Sequence, residues 1–106
     1  MKFGLSQNVI ENIQEVFTKH LEVEKAILYG SRALGRHRPS SDIDIVLFGK
    51  FLDLQKLFNI EDELDDLLLP YKFDISLYAN INNRQLLDHI KRVGKVLYKS
   101  TADSSA

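Results

Sequence analysis

The chain has 106 residues, a formal net charge of −1, 44% apolar and 27% charged residues. That length and balance predict one soluble globular domain with one core, and the near-neutral charge leaves no overall field to recruit nucleic acid. The lack of cysteine excludes disulfides and thiolate metal sites. No run has the length and apolarity of a membrane span or a signal peptide, so the expected location is the cytoplasm.

In chain order, Val9, Ile10, Ile13, Val16, Phe17 and Leu21 recur at helical spacing and predict a helix from Asn8 to His20, with Asn8 and Glu11 resembling a capping box. Ala26 to Tyr29 is a short apolar run ended by Gly30 and predicts a buried strand. Ser31 to Leu34 suits a helical turn or two, and Gly35 to Ser41 is loop. Ile43 to Phe48 predicts a second strand. Asp53 then caps a helix whose inward stripe is read as Leu54, Leu57, Phe58, Leu64, Leu67 and Leu68, with Pro70 as its stop. Lys72 to Tyr78 alternates and predicts a third strand. Asn82 or Asn83 opens a last helix carrying Leu86, Leu87, Ile90 and Val93, with Gly94 as its C-terminal cap and Val96 to Tyr98 as an edge strand. The expected architecture is α/β (α+β), a small mixed β-sheet with helices packed on it. One domain is expected over 1–99, with a disordered tail over 100–106.

The chemistry concentrates between Gly30 and Asp44. Gly30 and Ser31 follow a strand and open a helix, whose free backbone N–H groups favour phosphate. Asp42 and Asp44 stand two apart, so on a strand both carboxylates point to one face while Ile43 and Ile45 point to the other. Asp44 lies between two isoleucines in a strand of apolar residues, where aspartate is depleted and a buried charge needs a partner or a metal. Asp74, between Phe73 and Ile75, repeats the pattern. Taken alone, Asp74 also suits a salt bridge to Lys72 or Arg84. Three like charges on one face repel unless a cation neutralises them. With a phosphate-binding turn beside them they suggest two-magnesium chemistry at phosphorus: Asp42 and Asp44 bridging the ions, Asp74 ligating the ion at the nucleophile and taking its proton, Ser31 on the phosphates.

Arg32, Arg36, His37 and Arg38 form a basic loop next to this turn, suited to clamp triphosphate or simply to stay solvated; Arg32 is the nearest candidate. His20, His37 and His89 lack metal-ligand spacing and are assigned to surface or helix-end roles. Glu61, Asp62, Glu63, Asp65 and Asp66 read as a solvated helix face, or as a docking surface for a basic partner.

Gly30-Ser31, ten intervening residues, Asp42-x-Asp44 and a later strand aspartate at Asp74 together resemble the minimal nucleotidyltransferases (MNT) of the DNA polymerase β superfamily. The ending Arg92-Val93-Gly94-Lys95-Val96-Leu97-Tyr98 is similar to that family's closing helix and strand. The resemblance implies a polymerase β palm-like fold and transfer of a nucleoside monophosphate, AMP from ATP, to a hydroxyl. It implies Mg2+ on Asp42, Asp44 and Asp74, and nucleotide on Gly30, Ser31 and Arg32. It also implies a HEPN-domain partner, whose tyrosine an MntA-type antitoxin modifies. A single small domain leaves little chain to grip an acceptor, so a partner is expected to complete the site. Two other readings use the same residues differently: a non-catalytic antitoxin that occludes its HEPN partner, and a small-molecule nucleotidyltransferase, which would need a larger acceptor pocket.

Overall fold

The computed structural model describes residues 2–101. Helices α1 (Gln7–Thr18), α2 (Ser31–Leu34), α3 (Leu54–Asp65) and α4 (Arg84–Val93) alternate with strands β1 (Lys25–Tyr29), β2 (Ile43–Phe48), β3 (Phe73–Leu77) and β4 (Lys95–Lys99), as the patterning predicts. The sheet is mixed, in the order β3-β2-β1-β4. β1 runs antiparallel to β2 and β4, whereas β2 and β3 are parallel. The parallel pair requires a crossover, and α3 supplies it.

This topology places the site. Antiparallel pairing sets the end of β1 opposite the start of β2, and parallel pairing sets the start of β3 beside the start of β2. Tyr29, Asp44 and Asp74 therefore lie in one row across three strands. Strand alternation divides the sheet into two faces. Ala26, Leu28, Ile43, Ile45, Leu47, Ile75 and Leu77 form one face and join Ile13, Phe17, Leu57, Ile60 and Leu64 of α1 and α3 in the main core. The opposite face carries Ile27, Tyr29 and Val46, and Ile90 of α4 covers it. That second face holds the carboxylates at its uncovered end.

Some element details differ from the sequence reading. The α1 cap is Ser6, whose hydroxyl accepts from the Val9 N–H at 3.2 Å, and the helix ends at Thr18 rather than His20. Asp53 caps α3 as expected, accepting from the Lys56 N–H at 2.9 Å. The inward stripe of α3 is Leu57, Ile60 and Leu64, with Leu54 and Phe58 about half exposed. At about 100° per residue, Leu54 and Phe58 fall on the far side of Leu57 from Ile60. Leu68 lies beyond the helix with a left-handed φ of 56° and is 88% exposed. Asn83 caps α4.

Gly94 does cap α4, but with an ordinary φ of −58°; its need for glycine is space, because a Cβ would stand 2.4 Å from the Ile90 carbonyl oxygen and 2.6 Å from Ile27 Cγ2. Where β4 pairs with Ala26 and Ile27 of β1 the register shifts, leaving Leu97 as the extra residue, and both Leu97 and Tyr98 pack on the main core. Ser100, where the expected tail begins, donates its backbone N–H to the Glu24 carbonyl at 2.8 Å. The rest of that tail beyond Thr101 lies outside the described residues. Among the described residues, no helix is long and apolar enough to cross a membrane.

Candidate active site

The site begins where β1 ends. Gly30 holds φ 76° and ψ −155°, a conformation open essentially to glycine alone, and from it the chain turns into α2. The Asp44 carboxylate lies directly against this turn: a Cβ on Gly30 would stand 2.3 Å from Asp44 Oδ2. Two independent constraints, backbone conformation and space, thus demand glycine here. At the other end of α2, Gly35 takes the left-handed conformation with φ 73° and closes the turn, its N–H reaching the carbonyls of Arg32 and Ser31.

Asp44 is half-buried between Tyr29 and Asp74 in the sheet row. Its carboxyl is pushed up from the ordinary value to about 6, first by burial, then by the charges of Asp74 and Asp42, with the Arg32 guanidinium opposing. Asp44 and Asp74 are neighbours on one face of the sheet, and the charges of both Asp74 and Asp42 reach Asp44. Among the described residues none of the three forms a salt bridge, so the pairing of Asp74 with Lys72 or Arg84 is not made. Nor do any three His, Cys, Asp or Glu side chains among them form a closed cluster for a metal ion. The donor chemistry fits a hard divalent cation all the same, since carboxylate oxygens are its natural ligands and Asp44 bears an unpaired, partly desolvated charge.

Tyr29 belongs to the same row. Burial raises its hydroxyl pKa, the charges of Asp74 and Asp44 add to the shift, and a hydrogen bond with Ser76 opposes it. The Tyr29 ring meets the His89 ring edge-on, with centroids 6.1 Å apart. His89, on α4, accepts a hydrogen bond from the Gly30 N–H at 3.1 Å. The sequence pattern gives this residue only a surface or helix-end role, and no sign of its bond to Gly30. The available signal was its position next to Ile90, the one α4 residue that is buried on the sheet.

Arg32 differs from expectation. It is 1% exposed, and its guanidinium donates to the carbonyls of Phe3 at 2.8 Å, Ser41 at 2.9 Å and Pro39 at 3.2 Å while lying over the Tyr71 ring. These contacts make it a tie between the N-terminal turn and the loop that delivers Asp42. A guanidinium so engaged does not reach out as a phosphate clamp; it acts on the site through its field at Asp44. His37 packs close against Gly4 in the same knot. Arg32→Met is expected to lower stability by about 3 kcal/mol, because a buried guanidinium and three backbone carbonyls lose their hydrogen bonds at once. Chemical denaturation checks this, and a loss under about 1 kcal/mol would contradict the tie. A cavity of about 500 Å³ lined by Ile27, Phe48, Tyr78, Leu87, Asp88 and Lys91 lies further along this face, and Asp42, Asp44 and Asp74 do not line it.

A glycine turn beside strand carboxylates on a mixed four-stranded sheet is the arrangement of a nucleotidyltransferase fold. Residues 11–103 match the family model "Polymerase beta, Nucleotidyltransferase", and the chain belongs to that family. Among solved structures, a toxin–antitoxin with AMP-PNP is 21% identical, with a TM-score of 0.69 over 95% of this chain and 79% of that one. A mutant MntA–HpeT toxin–antitoxin is 20% identical, with a TM-score of 0.68 over 95% and 79%. The tri-AMPylated Shewanella oneidensis HEPN toxin in complex with MNT antitoxin is 18% identical, with a TM-score of 0.66 over 95% and 78%. At these identities the likeness concerns the fold. No curated protein matches the sequence.

Proposed function

We propose that this protein is a magnesium-dependent nucleotidyltransferase of the cytoplasm. In this reading it moves AMP from ATP onto a tyrosine hydroxyl of a HEPN-domain partner and so acts as an antitoxin. The observation that carries the reading is the row of Asp44 and Asp74 on adjacent parallel strands, with Asp42 two residues before and the Gly30 turn against Asp44. Its support is the family membership, together with similar folds that include a tri-AMPylated HEPN toxin with MNT antitoxin and a toxin–antitoxin with AMP-PNP.

Asp42, Asp44 and Asp74 would hold the magnesium. A bound cation would offset their repulsion and draw charge from the phosphate oxygens. Gly30 and Ser31 receive the phosphates through the turn that starts α2. The acceptor oxygen attacks the α-phosphorus, the bond to the departing pyrophosphate breaks, and the hydroxyl proton passes to Asp74. Placing a carboxylate on the exposed edge strand β3 leaves that side open to an acceptor carried by another protein.

The test is transfer of label from ATP marked at the α-phosphate, with magnesium, to proteins of a source-cell extract. Wild type is expected to label a single band whose mass identifies the acceptor, and Asp44→Ala none. If no band is labelled and magnesium–ATP does not bind, the enzyme reading fails. Cells protected equally well by Asp44→Ala would instead establish occlusion of the partner.

A further inference from the structure

We propose that His89 is the positioning residue of the nucleotide turn, a neutral acceptor that fixes how Gly30 presents the start of α2 to phosphate. This rests on the reading of Gly30 and Ser31 as the phosphate-binding turn. The geometry begins with a conflict. Gly30 is indispensable because only glycine accepts its backbone angles and its contact with Asp44, yet glycine has the least conformational restraint of any residue. Something outside the turn must hold it.

The Gly30 N–H is already engaged within the fold. It donates to His89 Nε2 at 3.1 Å, across 59 residues of sequence, in a part-buried setting. An N–H only donates, so Nε2 must be unprotonated and the ring proton must sit on Nδ1. His89 is itself held by its place on α4 and by the edge-on ring of the buried Tyr29. The strut thus runs from Tyr29 of β1 through His89 to the peptide plane that enters α2. With that plane fixed, the N–H groups that follow Gly30 are aimed before nucleotide arrives, and binding does not have to order them.

The test compares His89→Leu, which keeps bulk and removes the acceptor, with His89→Gln, whose side-chain oxygen reaches the position of Nε2. Binding of magnesium–ATP is measured by calorimetry, and nitrogen NMR reads the His89 tautomer and the Gly30 amide in the nucleotide-free protein. Wild type is expected to show an unprotonated Nε2. His89→Leu is expected to bind magnesium–ATP about tenfold more weakly, with an upfield Gly30 amide, and His89→Gln to stay within about threefold of wild type. Melting curves of both variants confirm that each is folded. A rescue by glutamine is what a purely structural role would not produce. Equal affinity of His89→Leu and wild type, equal loss in both variants, or a protonated Nε2 would overturn the proposal. A wild type that binds no magnesium–ATP would overturn the enzyme reading and the nucleotide role of His89 with it. The two failures are distinguishable, because the Gly30–His89 bond is read without nucleotide.

Discussion

Asp44→Asn is expected to abolish nucleotidyl transfer while making the metal-free protein more stable at neutral pH. The first effect, at least a hundredfold, follows if Asp44 holds magnesium at the reacting phosphate. The second follows from its pKa. Burial and the neighbouring charges of Asp74 and Asp42 push the carboxyl up to about 6, so folding costs free energy whenever the group is ionised. The sign is opposite to that of a salt-bridged aspartate. The penalty is absent below the ordinary value of 3.8, grows as pH rises, and is complete above about 6. Because Asp44 is only half-buried and partly screened, we expect the amide to gain about 1–2 kcal/mol at pH 7, or a Tm increase of about 5–10 °C. The wild-type and variant melting curves should converge near pH 4. Magnesium should stabilise the wild type at neutral pH and not the variant. A variant less stable than wild type at pH 7 without metal would refute the repulsion argument.

Asp44 stands out in the sequence alone, because it interrupts an apolar strand between Ile43 and Ile45. Alternation told that Asp42 and Asp44 share a face, and a second lone carboxylate at Asp74 suggested a third. What alternation could not supply was strand order. Only the antiparallel return of β1 and the parallel crossover through α3 bring Tyr29, Asp44 and Asp74 into one row. Arg32 was misplaced for a related reason. Its charge and nearness to Ser31 suggest phosphate, but the guanidinium donates to the carbonyls of Phe3, Pro39 and Ser41, and backbone acceptors leave no mark in the sequence. His89 was overlooked because a histidine on a helix gives no local sign that its partner is a glycine amide 59 positions earlier. In α3, an abundance of leucines made the stripe ambiguous, and packing against the sheet chose Ile60 over Phe58.

Gly30→Ala should damage both the fold and the site out of proportion to the one methyl group it adds. Alanine at φ 76° and ψ −155° is strained whatever surrounds it, and its Cβ would stand 2.3 Å from Asp44 Oδ2. Relief requires either a shift of the turn, which breaks the bond to His89, or a displacement of the carboxylate. We expect a loss of about 2–4 kcal/mol in stability, and magnesium–ATP binding too weak to measure in the protein that still folds. The two causes separate in a double-mutant cycle with Asp44→Ala, which removes the clash and leaves the backbone strain. Gly30→Ala should cost about 1–2 kcal/mol less in the Asp44→Ala background than in wild type. Additive losses in urea denaturation would mean that the turn yields without touching the carboxylate, and that Gly30 is required for its backbone alone. The smaller loss in the Asp44→Ala background would show that the Gly30 turn and strand β2 are fitted to each other at this one contact.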